Sequence, residues 1–506
     1  MEEKRRKSDA IVAKLEQCGA RKALGQNRVS QVPKKRLACH EHHRTTVRQA
    51  LRTIGALCLA ILAVPLPALA QSTPDILQTE AEEALVAGRP RDTVQIATQM
   101  LAVQPDSFIA LYLLALGQSD IGDLQAATST GARAYLSATT EDNRFQAARF
   151  VAGTHFRAGQ YTRSEIWLRR AANHAQSETD LRTIAQAYAT TVDANPLSVQ
   201  ITASIAPSDN VNNGSEDGVL RLEGIGLTFV LPEDRRSLSG VGFSASSELT
   251  YRISQGPQHS TQLIGSVSAV TYALSQDARD LLASSPNADV RAVKGSDFST
   301  VTAAIGISRQ QNNISPFGPV NLGLNLGTYW EGGERLVNFR DLSIEQVFPI
   351  NRNNRFRLTV FNRDQDALTP ALLDSTTTDL IGTYDHILAN SDQLQFSLSG
   401  RRKDAGFENS FDEYQLGVGY AVAEPIFGVQ LSTSLQIGSR TYEEFTTTLD
   451  GRDDQVISAS GTATFRDVSY FGFSPSITVA ATRTESTAEE FTSSTLQLLF
   501  GVESNF

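Results

Sequence analysis

The chain has 506 residues, of which 41% are hydrophobic and 20% charged, a composition that excludes a collagen-like or wholly disordered protein. Its net charge of −10 is unevenly distributed: residues 1–70 carry 14 basic and 5 acidic side chains, and the remainder carries 31 and 50. This acidic remainder would repel the phosphates of nucleic acid, which argues against nucleic acid as a partner. It also lacks the run of roughly 18 apolar residues that a transmembrane helix needs.

Residues 47–70 have the three parts of a secretory signal peptide. Arg48 and Arg52 precede a short apolar stretch at 54–63, and Ala68-Leu69-Ala70 follows it. We therefore predict cleavage before Gln71. An N-terminal membrane anchor is the alternative, but the apolar stretch is too short to span a bilayer.

Residues 1–46 do not fit an ordinary signal peptide, because they hold six of the eight lysines in the chain. We interpret them as the product of a start site assigned too early, with Val47 as a candidate true start; a real extended leader is the alternative. All three cysteines, Cys18, Cys39 and Cys58, precede the predicted cleavage site. A mature chain without cysteine suits an oxidising compartment in which the protein does not depend on disulfides.

Residues 71–196 have the pattern of paired helices. Gly88, Gly122 and Gly159 recur at spacings of 34 and 37 residues in similar phrases, with small and apolar residues at helical spacing between them. This part resembles a tetratricopeptide array of about three repeats, with each glycine in the turn between paired helices. An ordinary helical bundle is the alternative. In an exported chain the domain is predicted to be periplasmic.

Residues 197–506 alternate between apolar and small polar residues, as transmembrane β-barrel strands do. We count fourteen segments long enough to cross a bilayer: 197–206, 237–255, 260–276, 296–310, 318–330, 335–348, 354–363, 378–388, 392–403, 411–422, 426–441, 455–467, 473–484 and 492–506. Bacterial barrels have an even number of strands. The predicted fold is therefore an α + β membrane protein, with tetratricopeptide-like helices followed by a 14-stranded antiparallel barrel. A soluble β domain is the alternative.

The last predicted strand resembles the signal that the outer-membrane barrel assembly machinery reads. Phe500, Val502 and the C-terminal Phe506 lie on one face of it. Together with the signal peptide, this strand predicts a Gram-negative outer-membrane location. The predicted partners are then the lipid bilayer and the assembly machinery.

A phrase rich in asparagine follows the first predicted strand and carries a family resemblance. Residues 207–215 read Pro-Ser-Asp-Asn-Val-Asn-Asn-Gly-Ser. A Pro-x-x-Asn-x-Asn-Asn-Gly phrase between a tetratricopeptide domain and a barrel resembles the surface lipoprotein assembly modulator family. The matched positions are Pro207, Asp209, Asn210, Asn212, Asn213 and Gly214. The resemblance implies a fourteen-strand barrel that helps surface lipoproteins or secreted proteins reach the cell surface, and it implies no catalytic role for these residues.

The phrase has two other interpretations, a calcium-binding loop and a plain turn. A calcium loop that starts at Asp209 would need an oxygen ligand at its third position and a Glu at its twelfth. Val211 and Leu220 stand there instead, so the pattern fails. A plain turn is the remaining alternative, because Asn and Gly readily adopt turn conformations.

We find no motif for catalysis, a cofactor or a metal. The chain lacks Gly-x-Ser-x-Gly, His-Glu-x-x-His and a phosphate-binding glycine loop. The histidines of the mature part, His155, His174, His259 and His386, are not at metal-ligand spacing. We therefore expect a protein that is not an enzyme.

Three functions are compatible with this organisation. The first is an outer-membrane factor that helps a secreted protein or surface lipoprotein cross the membrane or be displayed, with the repeats recruiting the substrate. The second is an exopolysaccharide exporter, which also joins repeats to a barrel but is expected to carry a longer array. The third is an outer-membrane porin or enzyme.

Overall fold

The computed structural model describes residues 73–222, 226–370, 372–466, 468 and 473–504. The predicted leader, the predicted signal peptide and Phe506 lie outside these residues. The chain forms two compact units, of which the first ends at Ala138 and the second begins at Thr139. This division lies within the helical part, whereas the change from helix to strand occurs between Ala194 and Leu197.

Four helices belong to the first unit: α1 (Thr73–Val86), α2 (Pro90–Val103), α3 (Phe108–Ile121) and α4 (Leu124–Ser137). The α3 helix is apolar nearly all round, and its Leu111 is fully buried. The side-chain oxygens of Ser107 and Asp123 cap the N-termini of α3 and α4. A Cβ at Gly117 would lie 2.9 Å from the Val94 side chain, so this glycine allows α2 and α3 to approach closely.

Three further helices begin the second unit: α5 (Glu141–Arg157), α6 (Tyr161–Ala172) and α7 (Glu178–Ala194). Thr140 and Ser177 cap α5 and α7. Between helices, the Ser164 hydroxyl of α6 donates a buried hydrogen bond of 2.9 Å to the Ala152 carbonyl of α5. Small residues thus bring neighbouring helices together in this unit.

The three repeat glycines lie in turns between helices. Gly88, Gly122 and Gly159 have φ values of 68°, 97° and 71°, a left-handed conformation that ordinary residues rarely adopt. Gly122 ends α3 directly, and its N–H bonds back to the last turn of that helix. The repeated glycine therefore reflects a backbone requirement at each turn.

Fourteen strands form a closed antiparallel barrel in which each strand neighbours the next along the chain and the last neighbours the first. They are β1 (Leu197–Ser208), β4 (Gly240–Gly256), β5 (His259–Leu274), β6 (Thr300–Gln311), β7 (Val320–Glu331), β8 (Glu334–Pro349), β9 (Asn354–Ala367), β10 (Ser375–Ile387), β11 (Gln393–Asp404), β12 (Phe411–Ala421), β13 (Val429–Tyr442), β14 (Arg452–Phe465), β15 (Phe473–Ser486) and β16 (Ser493–Ser504). This confirms the predicted fold class.

The barrel carries its apolar side chains on the outside. Ile201, Leu398 and Leu416 are 49%, 59% and 54% exposed, and they share the outward face with other large apolar residues. The alternate positions point to the lumen and carry mostly Ser, Thr, Gly, Asn, Gln and charged residues. Closure leaves every strand with a neighbour on each side, so this apolar exterior can face hydrocarbon. In the described part of the chain, no helix is long and apolar enough to span a bilayer.

Four short elements were not predicted. A hairpin of β2 (Val219–Leu222) and β3 (Leu227–Val230) lies between β1 and β4. Two helices, α8 (Gln276–Ala283) and α9 (Ala288–Arg291), lie between β5 and β6. All of them belong to the two longest loops at one end of the barrel.

Candidate functional site

The end of the barrel at which β1 finishes is here called the distal mouth, and the end at which β1 begins is the proximal rim. The loops 209–239, 275–299, 443–451 and 487–492 all lie at the distal mouth. The asparagine phrase opens the first of these loops.

Asp209 and Asn210 extend the pairing of β1 with β16 by means of their side chains. The Asp209 Oδ1 accepts a 2.8 Å hydrogen bond from the Leu496 N–H, and the Asn210 Nδ2 donates one of 3.1 Å to the Ser494 carbonyl. Main-chain pairs between the two strands end at Ser208 and Gln497. We refer to the Asp209 and Asn210 bonds to β16 as the clasp.

The remaining polar side chains of the phrase fold the loop onto itself. Asn210 bonds to Gly214 in both directions, at 3.0 and 2.8 Å. Asn212 donates to the carbonyls of Asp234 and Arg236 at 2.9 and 2.8 Å and accepts from the Leu238 N–H at 3.0 Å. The phrase therefore holds the two ends of loop 209–239 together.

Gly214 and Val211 fit this loop sterically. A Cβ on Gly214 would lie 2.2 Å from the Arg236 carbonyl oxygen, so no other residue fits without a shift of the backbone. Val211 is buried in an apolar cluster that contains residues of both long distal loops: Leu238, Leu274, Ala278, Leu282 and Val290. The two loops therefore share one small apolar core. We call loops 209–239 and 275–299, packed around this core, the lid.

Asn213 lines a cavity at the lumen side of the barrel. It has a φ of 49° and lines this cavity of about 430 Å³ together with Arg440, Arg452, Asp454 and Phe491. Thr and Ser side chains of β15 and β16 complete the walls together with Val456, Ala480 and Gln497. Most of the lining side chains are polar or charged, whereas the pockets that bind most small molecules are lined mainly by apolar side chains.

A row of alternating charges lines the lumen on β10 to β14. Cross-strand neighbours place Asp379, Arg401, Glu413, Arg440 and Asp454 side by side in that order. The Arg401 guanidinium binds Asp379 through two bonds of 2.8 and 2.9 Å, and Arg440 donates to Glu413 at 2.9 Å. We call this row the charge ladder; a separate Arg363–Asp341 pair with bonds of 2.7 and 2.9 Å lies on β9 and β8.

Arg452 connects the charge ladder to the distal loops. It binds the fully buried Asp454 through two bonds of 2.8 and 2.6 Å. Its guanidinium also lies over the rings of Tyr442 and Phe491, at 4.2 and 3.4 Å from their centroids. Phe491 belongs to loop 487–492, and the ring of Phe445 in loop 443–451 lies 5.7 Å from the same guanidinium, so cation–π contacts connect both loops to the lumen wall.

At the proximal rim, hydrogen bonds join α7 to the barrel. Arg252 of β4 donates to the carbonyls of Asp193 and Asn195, the latter at 2.9 Å. Asn195 in turn donates to Glu165 of α6 at 2.7 Å and accepts from the Leu197 N–H at 3.1 Å. The last two helices and the first two barrel strands are therefore connected through this junction.

Two titratable groups of α5 have shifted pKa values. Burial lowers the pKa of His155, although its 2.8 Å hydrogen bond to Gln160 acts in the opposite direction. A hydrogen bond from His174 lowers the pKa of the exposed Glu141, whose Oε2 lies 2.5 Å from the His174 Nδ1.

The predicted site residues thus lie in separate places. The asparagine phrase is at the distal mouth, Phe500 and Val502 point outward from β16, and the three glycines lie in helix turns. The charge ladder and the Arg252 junction were missed. In the sequence, each of these charged residues stands alone among the small polar residues of one strand face. That isolated charge is the only sign of them in the sequence. Among the described residues, no cluster of His, Cys, Asp and Glu could hold a metal ion.

No protein-family model matches this chain, and no curated protein does so. Solved structures match its two parts separately. The TPR2B domain of yeast Sti1 in a pHsp70 complex is 15% identical, with 24% of this chain and 96% of that chain covered and a TM-score of 0.22. The anion-selective porin from Comamonas acidovorans is 10% identical, with 61% and 98% covered and a TM-score of 0.31. A bacterial polysaccharide outer membrane secretin is 7% identical, with 60% and 98% covered and a TM-score of 0.30.

Proposed function

We propose that this protein lies in the outer membrane, with its helices in the periplasm, and helps a secreted protein or surface lipoprotein cross the membrane or be displayed. The apolar exterior supports the membrane location, because a closed barrel with such a surface is stable in hydrocarbon. We propose no catalytic role.

The observation that carries the proposal is the junction at the proximal rim. Stacked helix pairs form extended surfaces that bind polypeptide segments. Here α7 continues into β1, and Arg252 fixes the end of α7 to β4. In this proposal the helices recruit protein, and their connection to the barrel wall through α7 is an arrangement that a simple pore does not require.

The polar lining of the lumen supports passage of a polypeptide rather than binding of a small molecule. Its walls are polar and carry the charge ladder, so they offer few apolar anchors for a small ligand. In this proposal the lid covers the distal mouth, and the partners are the substrate protein, the lipid bilayer and the barrel assembly machinery.

The test is to express the full-length chain and a form lacking residues 73–138 beside the secreted protein or lipoprotein encoded by the neighbouring gene. The deletion removes the four described helices of the first compact unit and leaves the second unit complete. We expect both forms to insert in the outer membrane, and labelling of intact cells to detect the substrate only with the full-length chain.

Two other results would redirect the proposal. Equal substrate labelling with both forms would show that the first unit does not recruit substrate. Export of a polysaccharide rather than a protein would favour the exporter alternative. A matched variant, Arg252→Ala, keeps all helices. We expect it to reduce substrate labelling, because it removes the hydrogen bonds between β4 and the end of α7.

A further inference from the structure

A cavity on the outer surface of the barrel, here called the groove, crosses β9, β10, β11, β12 and β13. It has a volume of about 810 Å³ and mostly apolar walls. Leu398 and Leu416 line it, and both are more than half exposed on the outward face. The groove is therefore separate from the lumen cavity that Asn213 lines, and it opens on the face that meets hydrocarbon in a membrane.

Two glycines leave a depression within the groove. Gly382 of β10 pairs with the outward-facing Leu398, and Gly400 follows Leu398 by two positions on β11, so both glycines face outward. A Cβ on Gly382 would lie 3.3 Å from the Phe356 ring, and a Cβ on Gly400 would lie 3.5 Å from the Tyr414 ring. The two rings therefore stand beside the glycines and form walls of the depression.

The groove has a charged edge on the side of the distal mouth. Thr378, Arg402 and Asp412 are cross-strand neighbours, and each lies two positions beyond a groove residue on its own strand. The Arg402 guanidinium donates to Asp412 at 3.0 and 2.9 Å, and the Arg402 side chain is 76% exposed. Because a guanidinium has several N–H donors, these two bonds leave others for a further acceptor. Toward the proximal rim, β11 continues instead with the apolar Phe396 and Leu394.

The depth of the groove matches that of one membrane leaflet. Arg402 and Phe396 lie on β11 at a separation of about 20 Å, given a rise of about 3.4 Å per residue. A strand tilt of roughly 40° reduces this separation to about 15 Å along the membrane normal. The hydrocarbon core of a bilayer is about 30 Å thick, so one leaflet supplies the same depth.

From these features we propose that the groove binds an acyl chain of a bilayer lipid, with the phosphate of that lipid at Arg402. The chain passes Gly400 and Gly382 and ends near the ring of Phe396. Hydrocarbon is the occupant because the groove is continuous with the apolar exterior of the barrel. Phosphate is a preferred partner of a guanidinium, which offers it several donors in one plane. The proposal requires insertion in a bilayer, and it does not depend on transport of a substrate protein.

The site is tested by photo-crosslinking of the full chain in lipid nanodiscs. The probe is phosphatidylethanolamine with a diazirine on one acyl chain, and mass spectrometry locates the labelled residues. We expect residues 396–400 and 414–418 to be labelled about tenfold more than residues 459–463, which lie on β14 outside the groove. Equal labelling of these regions would indicate ordinary contact with the bilayer and would overturn the site.

The position of the diazirine tests the orientation of the lipid. A diazirine close to the ester should label Gly400 and Tyr414, whereas one close to the methyl end should label Phe396. This order follows from the phosphate at Arg402, on the distal side of the groove. The opposite order would overturn the placement of the head group.

Two glycine variants test whether the depression holds the chain. Gly400→Leu fills it, and its Cβ makes an ordinary contact of 3.5 Å, so we expect the barrel to fold. Gly461→Leu adds the same side chain on β14, where nothing lies within 4 Å of a Cβ. We expect Gly400→Leu to lower labelling of residues 414–418 about tenfold and Gly461→Leu to leave it unchanged. Unchanged labelling in Gly400→Leu, with folding checked by heat-modifiable gel migration, would overturn the site. If Gly400→Leu does not fold, the labelling pattern of the unmodified chain still decides.

Arg402→Gln tests the phosphate contact in the same assay. We expect it to lower labelling by the probe with the diazirine close to the ester, because glutamine offers no positive charge to the phosphate. Arg483→Gln serves as the control, since Arg483 forms an exposed pair with Glu485 on β15, outside the groove. Equal labelling in Arg402→Gln and in the unmodified chain would overturn the head-group contact.

Discussion

Asn210 shows how a single side chain can act as part of a strand. It is 2% exposed, and its amide bonds to Gly214 within the loop and to Ser494 on β16. A buried polar side chain with such partners stabilises the folded protein through each hydrogen bond. Its removal leaves main-chain groups without hydrogen-bond partners.

We predict that Asn210→Ala destabilises the barrel by about 1–3 kcal/mol, because it leaves buried main-chain groups without partners. Asp209→Ala should have a smaller effect in the same direction, and Asp209→Asn should retain an acceptor for the Leu496 N–H. Denaturant unfolding followed by heat-modifiable gel migration measures the change. The exposed Asp217 of the same loop provides a control as Asp217→Ala, and an equal loss in the control would contradict the clasp.

Gly214 gives a second prediction at this scale. We expect Gly214→Ala to loosen the lid, because its Cβ would lie 2.2 Å from a main-chain oxygen. Limited proteolysis of intact cells should then cleave loop 209–239 faster. Gly265→Ala on β5 adds the same atom where nothing lies within 4 Å, and it should leave the cleavage rate unchanged.

The lowered pKa of His155 leads us to predict that the stability of the helical part depends on pH. Burial lowers its pKa in the folded protein below the ordinary 6.5. The unfolded chain therefore binds the proton more readily, and stability falls as the pH falls from above 6.5 toward the lowered pKa. Glu141, with its lowered pKa, acts in the same direction but below the ordinary 4.5 of a glutamate.

We expect the thermal midpoint of the helical circular-dichroism signal to decrease between pH 7.5 and pH 5.5. This range is above the titration of Glu141, so His155→Gln should reduce the decrease. His259→Gln on β5 serves as the control and should keep it. A decrease that is the same in all three proteins would contradict the assignment.

Single elements were predictable where the pattern is local. All fourteen segments predicted from alternation correspond to the barrel strands, with ends that differ by at most four residues. Each strand carries its own period of two, so no knowledge of its neighbours is required. The β2–β3 hairpin and α8 were missed because elements of four to eight residues are too short to show a period.

Contacts between distant elements could not be predicted in this way. The residues of the charge ladder look like isolated charges in the sequence, and only strand register brings Glu413 next to Arg401 and Arg440. The turn interpretation of the asparagine phrase described its local bonds but not the clasp, which joins residues 287 positions apart.

The charge ladder gives a prediction at the scale of elements. Glu413→Gln removes a buried carboxylate between two guanidinium groups and should destabilise the barrel by about 1–3 kcal/mol, because both guanidinium groups lose a charged partner but remain partly exposed. The double variant with Arg440→Gln should lose less than the sum of the single variants. Glu485→Gln, at an exposed pair, should stay within about 0.5 kcal/mol. Additive losses in denaturant unfolding would contradict a coupled ladder.

At the scale of the whole molecule, Phe506 is predicted to direct assembly. Phe500 and Val502 point outward from β16, and Phe506 continues their spacing in the sequence. We expect deletion of Phe506 to lower the yield of folded barrel in the outer membrane, and Phe506→Trp to preserve most of it. The folded band in heat-modifiable gels measures both, and an unchanged yield for the deletion would contradict the prediction.

The clasp also has a consequence for the order of folding. Because it joins the first and last strands, we expect its bonds to form late, once the hairpins between these strands are in place. A doubling of the enclosed chain adds only about 0.6 kcal/mol of closure entropy, so the distance itself is a modest obstacle. Aggregation of the folding intermediate is the greater hazard, because the intermediate has two unpaired strand edges until the barrel closes. Interactions that form after the transition state mainly control the rate of unfolding. Loss of the Asp209 carboxylate should therefore shorten the lifetime of the finished barrel while leaving its rate of formation nearly unchanged.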